Sequence, residues 1–385
     1  MIERYLEKRI SNLERPDYLR LPTLASKMEG VINLCPGDPD FETPKFIRDA
    51  AIKALEEGLT HYPPTPGRND LREALAEYHS KYGIDWKPSE AIVTAGSGLA
   101  LYLSLAGTVN PGEEVIVLEP YYMVYPVILK YLGAKMVPVP LDQENGFHID
   151  IERLRESVTP KTKMIMLCTP NNPSGTVLTR EELAEVTDLA QQKDLLVLSD
   201  EVYNEFVWDG REHVSIASLP GMKERTLVSN SFSKTWAMTG WRLGYILTDE
   251  PLATRIAKIP LGYRPSTFVQ RAGLAALKGP WEPVEKMVKE YDRRRRRFAS
   301  RLDEIDGIEC PKPEGAFYVF PDIKAFGKSE EFCETLLKEQ KVLTYSGTCF
   351  GESTDGYMRI PLVTPMETLE KVADAIEDHA KNMSR

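Results

Sequence analysis

The chain has 385 residues, 42% of them hydrophobic and 28% charged, and its 48 basic and 58 acidic side chains leave a net charge of −10. That length exceeds the roughly 100–200 residues of one core and predicts a large domain with a smaller one, while the acidic balance argues against a nucleic-acid partner, whose phosphates are bound by lysine and arginine. No apolar run approaches the ~20 residues that span a bilayer, the start MIERYLEKRI is charged rather than signal-like, and the five cysteines form no CxxC pair, so a reduced, cytoplasmic protein with no membrane partner is expected.

Thr43-Pro44 opens a helix through Ile47, Ala51 and Leu55 that ends near Gly58. Asn69 opens a second, in which Leu71, Leu75, Tyr78 and Tyr82 share one face and Gly83 is the stop. The runs AIVTA, EVIVLEP, KMVPVP, KMIMLCT, LLVLSD, TLVSNS and LGYILT read as strands, and Thr179 with Glu182 forms a capping box that starts a helix between two of them. Strands this apolar, separated by helices, require a mostly parallel sheet covered on both faces, so the predicted fold is α/β around a seven-stranded sheet. After about Gly279 come a long helix, the short strands AFYVFPD and YMRIPLV, and a last helix from Pro365 to Asn382. These predict a smaller α+β domain completed by the N-terminal segment, which divides the chain into 41–278 against 1–40 with 279–385. The arginine run 293–297 lies in the long helix among Val284, Met287, Val288, Tyr291, Phe298 and Leu302, and is expected on a solvated, salt-bridged face.

Ligands of such sheets bind at the carboxyl ends of the strands, and the residues with chemical potential gather there. In SFSKTWAMTGWRLGY, Lys234 sits among small hydroxyl residues with Arg242 eight positions on. A lysine forming a Schiff base with an aldehyde cofactor needs that room, and Ser231, Ser233 and Arg242 suit a phosphate; a solvated loop lysine has the same surroundings. Asp200 ends LLVLSD, and a carboxylate at the end of a buried strand is costly without a cation. A pyridinium nitrogen would supply one, with Tyr203 near the phenolate oxygen; a helix-capping Asp beside a core Tyr is the alternative. Asn172, in the turn TPNNPSGT, offers an amide donor. Gly96, Ser97 and Gly98 open a helix and would form an anion site, although GSG is not the dinucleotide fingerprint. Tyr122 in PYYMVY could stack on a pyridine ring or belong to the core. Arg359, inside the apolar YMRIPLV, asks for a buried anion, either a substrate carboxylate or a structural partner. His61, His79, His148, His213 and His379 lack ligand spacing, so no metal is expected.

Taken in order, GDPDFETP, YPPTPG, the turn at Gly96, PYYMVY, PNNPSG, DEVY, SFSK, TGWRLGY and MRI resemble the fold type I aminotransferases of class I and II, over essentially the whole chain. The resemblance implies a pyridoxal-phosphate enzyme that moves an amino group from an L-amino acid to a 2-oxo acid, 2-oxoglutarate being the expected acceptor, by ping-pong chemistry. It implies Lys234 as Schiff-base lysine and proton carrier, Asp200 on the ring nitrogen, Asn172 and Tyr203 on the phenolate oxygen, and Tyr122 against the ring. Ser231, Arg242 and the turn of Gly96, Ser97 and Gly98 would hold the phosphate, joined by Tyr62 from the neighbouring subunit of a homodimer. Arg359, Asn172 and the Gly37 backbone would take the substrate α-carboxylate.

Two departures are local: Tyr345-Ser346-Gly347-Thr348-Cys349-Phe350-Gly351 stands where relatives commonly have Pro-Gly before FG, and Ser174 where threonine is common. A β-lyase of the same fold would use the same cofactor residues. An aminotransferase-like effector-binding domain is the more distant alternative, but no basic helix-turn-helix precedes the pattern. Arg264 in GYRPSTF is either a receptor for a second substrate carboxylate, reached across the dimer, or a surface arginine. Tyr18, Leu19, Arg20 and Leu21 are expected near the side-chain pocket.

Overall fold

The computed structural model describes Tyr5, residues 17–259 and residues 264–383. The remainder of the first sixteen residues and Gly262-Tyr263 of GYRPSTF lie outside the described residues. Twelve strands occur in chain order: β1 (Ile32–Asn33), β2 (Ala91–Thr94), β3 (Glu114–Glu119), β4 (Lys135–Pro140), β5 (Thr162–Cys168), β6 (Leu196–Asp200), β7 (Thr226–Ser231), β8 (Gly244–Leu247), β9 (Tyr318–Val319), β10 (Val342–Leu343), β11 (Tyr345–Ser346) and β12 (Met358–Pro361).

All seven runs predicted as strands of one sheet form it, in the order β2-β8-β7-β6-β5-β3-β4. The sheet is mostly parallel, with β8 the strand that runs against both its neighbours. Period-two alternation decides which side chain goes to which face. In β5, Met164 and Met166 pack with the helix Ser97–Thr108, while Ile165 and Leu167 pack on the opposite side with the helix Arg180–Gln192. All four are essentially inaccessible to solvent, and each such side chain contributes roughly 1.5–3 kcal/mol through removal of its surface from water.

The helices start and stop for local reasons. Thr179 and Glu182 form the expected reciprocal capping box at the start of Arg180–Gln192. The helix Asn69–His79 runs into a 3₁₀ turn that ends at Gly83, whose positive φ a glycine adopts without strain. Lys45–Glu56 buries Ile47, Ala51 and Ala54, whereas Leu55 is exposed.

C-terminal to this sheet, the long helix Glu282–Asp303, the antiparallel set β11-β12-β9, and the helices Ser329–Gln340 and Met366–Met383 share one core. Leu21, Ala25, Leu34 and Cys35 join that core, and β1 pairs in parallel with β10. One expectation is corrected in the long helix. Arg294 and Arg295 are buried, not solvated: Arg294 bonds Asp40 at 2.8 Å and Glu290 at 2.9 Å, and Arg295 bonds Asp209 at 2.9 Å and Asp292 at 2.6 Å. They lie on the face that carries Tyr291 and Phe298, so helical periodicity sends them inward, and four carboxylates make their burial tolerable.

Candidate active site

Because β8 alone is reversed, the carboxyl ends of β2, β3, β5, β6 and β7 open on one edge of the sheet, and the segment entering β8 returns to that edge. A cavity of about 440 Å³ lies there. It is lined by Ser97 and Gly98 after β2, Tyr122 after β3, Asn172 after β5, Asp200 and Tyr203 after β6, Ser233 and Lys234 after β7, and Arg242 before β8. Gly37 and Asp38 approach from the N-terminal side, and Tyr318, Tyr345 and Arg359 from the C-terminal strands.

Lys234 sits in the one-turn helix Phe232–Thr235, and its ammonium donates to the Gly37 carbonyl. Burial is the main reason its pKa falls to about 8; Arg359 and Arg242 push in the same direction and Asp38 opposes them. Loss of water counts for more here than either arginine. Asp200, 3% exposed, is the converse case: burial raises its pKa to about 6, against the hydrogen bond from Tyr125, whose hydroxyl lies 2.7 Å from Oδ2. Its other oxygen, Oδ1, has no hydrogen-bond partner.

Arg359 is 3% exposed. Its guanidinium donates to Asn172 Oδ1 at 3.2 Å and to the Cys35 carbonyl, stacks over the rings of Tyr318, Tyr345 and Phe350 at 4.7, 5.0 and 5.1 Å, and leaves Nε without a partner. Among the described residues no carboxylate pairs with it. A buried, fork-shaped cation in that condition suits an incoming carboxylate.

At the other end of the cavity, Gly96 has φ +84° and caps the helix Ser97–Thr108. A β-carbon there would strike the Arg242 guanidinium, so glycine lets that cation approach the helix N-terminus. Arg242 Nη1 also donates to the Thr239 carbonyl at 2.7 Å. Free backbone amides at a helix N-terminus, with an arginine beside them, form a site for an anion such as phosphate.

Several expected residues sit differently from the simplest picture. Ser231 is 1% exposed and does not line the cavity; its hydroxyl accepts the Ser233 amide as a helix cap, leaving Ser233 as the serine of this segment on the wall. The Gly37 carbonyl is taken by Lys234, and a β-carbon on Gly37 would collide with the Tyr318 hydroxyl. Tyr203 bonds the Tyr318 hydroxyl at 2.7 Å. Tyr62 is 92% exposed and outside the cavity of its own chain. Arg264, also exposed, donates to the Pro63 carbonyl at 3.3 Å. Of the N-terminal segment, Tyr18 reaches the cavity while Arg20 turns to Glu330 at 2.8 Å.

Tyr125, Tyr318, Tyr345 and Asp38 were not singled out by sequence. All four stood inside segments already marked, PYYMVY, AFYVFPD, the departure that begins at Tyr345, and GDPDFETP, but their partners are remote in the chain. Among the described residues no histidine, cysteine or carboxylate cluster could hold a metal, and no helix is long and apolar enough to cross a membrane.

A family model for aminotransferase class I and II matches residues 29–376. The chain is 42% identical to aromatic-amino-acid aminotransferase 2 of Thermococcus litoralis, over 97% of each protein. It is 42% identical to an aspartate aminotransferase of Pyrococcus abyssi, over 95% of this chain and 96% of that one. A crystal structure of an aromatic aminotransferase from Pyrococcus horikoshii OT3 superposes with a TM-score of 0.90 at 41% identity, covering 94% of this chain and 99% of that one. These relatives give the β-lyase reading no support. With the family model spanning most of the chain and full-length relatives far above chance identity, the protein belongs to the class I and II aminotransferases and transfers amino groups between amino acids and keto acids.

Proposed function

We propose that this aminotransferase uses pyridoxal phosphate in the cavity described above, and that its amino donor carries an aromatic or other apolar side chain. The observation that carries the cofactor reading is Asp200: a buried carboxylate whose Oδ1 lacks any partner is the group a protonated ring nitrogen requires. When bound, the cofactor supplies an electron-withdrawing ring that stabilises negative charge at the substrate α-carbon.

The chain's own residues then have separable tasks. Asp200 would keep the ring nitrogen protonated, Tyr122 would lie against the ring, and the Asn172 amide and Tyr203 hydroxyl would serve the ring oxygen. The amides of Gly96, Ser97 and Gly98, with Ser233 and Arg242, would hold the phosphate; Ser231 contributes by capping the turn that carries Ser233. Arg359 binds the α-carboxylate beside Asn172 and the Gly37 backbone. Lys234 would be the residue that holds the cofactor covalently, and as a free amine it would take and return the proton at the substrate α-carbon. A pKa near 8 leaves an appreciable neutral fraction at neutral pH, as a base requires.

The donor class is supported by what the cavity offers beyond these groups. Tyr18, Tyr345 and Val124 line it, and its three cations, Lys234, Arg242 and Arg359, already have assigned roles. The relatives' names divide between aromatic and aspartate substrates; among the described residues of this chain's cavity a second carboxylate would find no further cation, and Arg264 lies outside it, bonded to the Pro63 carbonyl. The exposed Tyr62 fits a homodimer in which it completes the neighbouring subunit's phosphate corner. The division at 41–278 is part of the same reading, because N-terminal and C-terminal residues share a core.

The test is a donor panel with added pyridoxal phosphate and 2-oxoglutarate as acceptor. Glutamate should form without release of ammonia, and kcat/KM should be higher for phenylalanine or tyrosine than for aspartate. Preference for aspartate would overturn the donor class, and pyruvate with ammonia from a donor with a β leaving group, in place of glutamate, would overturn transamination.

A further inference from the structure

We infer that Tyr125 is a positioning residue, whose buried hydroxyl occupies Oδ2 of Asp200 and thereby fixes Oδ1 as the oxygen that meets the cofactor ring nitrogen. This rests on the pyridoxal phosphate reading above. Tyr125 begins the helix Tyr125–Leu132, is 1% exposed, and does not line the cavity, whereas Asp200 does. Its hydroxyl donates to Oδ2 at 2.7 Å and Oδ1 is left without a partner. The same ring meets Tyr122 edge to face, with centroids 5.6 Å apart and planes at 87°. One side chain behind the cavity therefore touches both the carboxylate assigned to the ring nitrogen and the tyrosine assigned to the ring face.

A carboxylate whose Oδ2 is held by a fixed phenol cannot turn without losing a charge-assisted hydrogen bond, which is roughly twice as strong as a neutral one. That bond also favours the ionised form. The other groups acting on Asp200 are Glu201, adjacent in the chain, which disfavours its charge, Lys234, which favours it, and the Val202 amide. Cys168 and Tyr122 also face it, each with its own ionisation pushed up, to well above the usual thiol range and to about 12 respectively, so both stay neutral near pH 7. Tyr125 is thus the neutral side-chain donor that holds Asp200 ionised when no cofactor cation is present.

The test is a double-mutant cycle read as cofactor affinity. Cofactor-free wild type, Tyr125→Phe, Asp200→Asn and the double variant are titrated with pyridoxal phosphate by absorbance across pH 5.5–8.5. Tyr125→Phe keeps the ring in the core and should weaken binding by roughly 10- to 100-fold, the size of a charge-assisted hydrogen bond. It should also move the acid limb of the affinity profile toward higher pH. In the Asp200→Asn background the same substitution should change affinity by less than about threefold. An equal loss in both backgrounds, or a loss with an unmoved acid limb, would make Tyr125 a packing residue and overturn the inference. Wild type that takes up no pyridoxal phosphate would instead overturn the cofactor reading on which it stands.

Discussion

Replacing Lys234 by methionine in the cofactor-free protein exchanges a buried ammonium for a thioether of similar length, and the structure sets the size of the effect. The lysine pKa falls from 10.5 to about 8 in the fold, chiefly through burial. At about 1.36 kcal/mol per unit this is at most about 3 kcal/mol held against folding while the amine is charged. A folded pKa below the unfolded one means that the lysine's stability is whole above pH 10.5 and is lost as pH falls through 8. The Lys234→Met variant should therefore be the more stable protein at pH 7, by up to about 3 kcal/mol, and the difference should shrink steadily as pH rises toward 10. Urea unfolding midpoints of both proteins, at one protein concentration and a series of pH values, measure it. A difference independent of pH, or a wild type that is the more stable at pH 7, would refute the claim that burial holds this amine near neutrality.

Arg359→Lys keeps the charge and loses the fork, so kcat/KM for the amino donor should drop roughly 10- to 100-fold, the worth of one charge-assisted bond, mainly through KM. Steady-state kinetics with a single donor decide it, and an unchanged KM would place the carboxylate elsewhere. Arg295→Ala strips a fully buried cation from Asp209 and Asp292 and should cost about 3–5 kcal/mol, visible as a lowered thermal midpoint with the cofactor site intact. Gly37→Ala should lower activity with donor and acceptor alike, because its β-carbon meets the Tyr318 hydroxyl; full activity would show that Tyr318 yields freely.

The sheet was legible because its strands are long, apolar and bounded by turns, as in EVIVLEP and LLVLSD. The reversal of β8 was not, since LGYILT reads the same in either direction and its pairing with β2 and β7 is settled far away in the chain. The two-residue strands β1, β9, β10 and β11 are too short to carry a period, and of these β9 alone lay within a run read as a strand, AFYVFPD. In the site, Lys234, Asp200, Asn172 and Arg359 stood out because each is polar in apolar or tightly turned surroundings. Tyr125 did not, since a tyrosine at a strand end reads as core until Asp200, seventy-five positions on, is seen beside it. The inward turn of Arg294 and Arg295 did leave a trace: they fall three and four residues after Tyr291, and Phe298 follows at the same spacing.

The most direct measurement is borohydride reduction of the pyridoxal-phosphate-loaded protein, followed by proteolysis and peptide mass analysis. The cofactor should be fixed covalently to a single peptide, the one containing Lys234, and Lys234→Ala should carry no label at any active-site lysine. Label on another lysine, or a labelled Lys234→Ala, would contradict the assignment of this residue as the centre of the amino-transfer site.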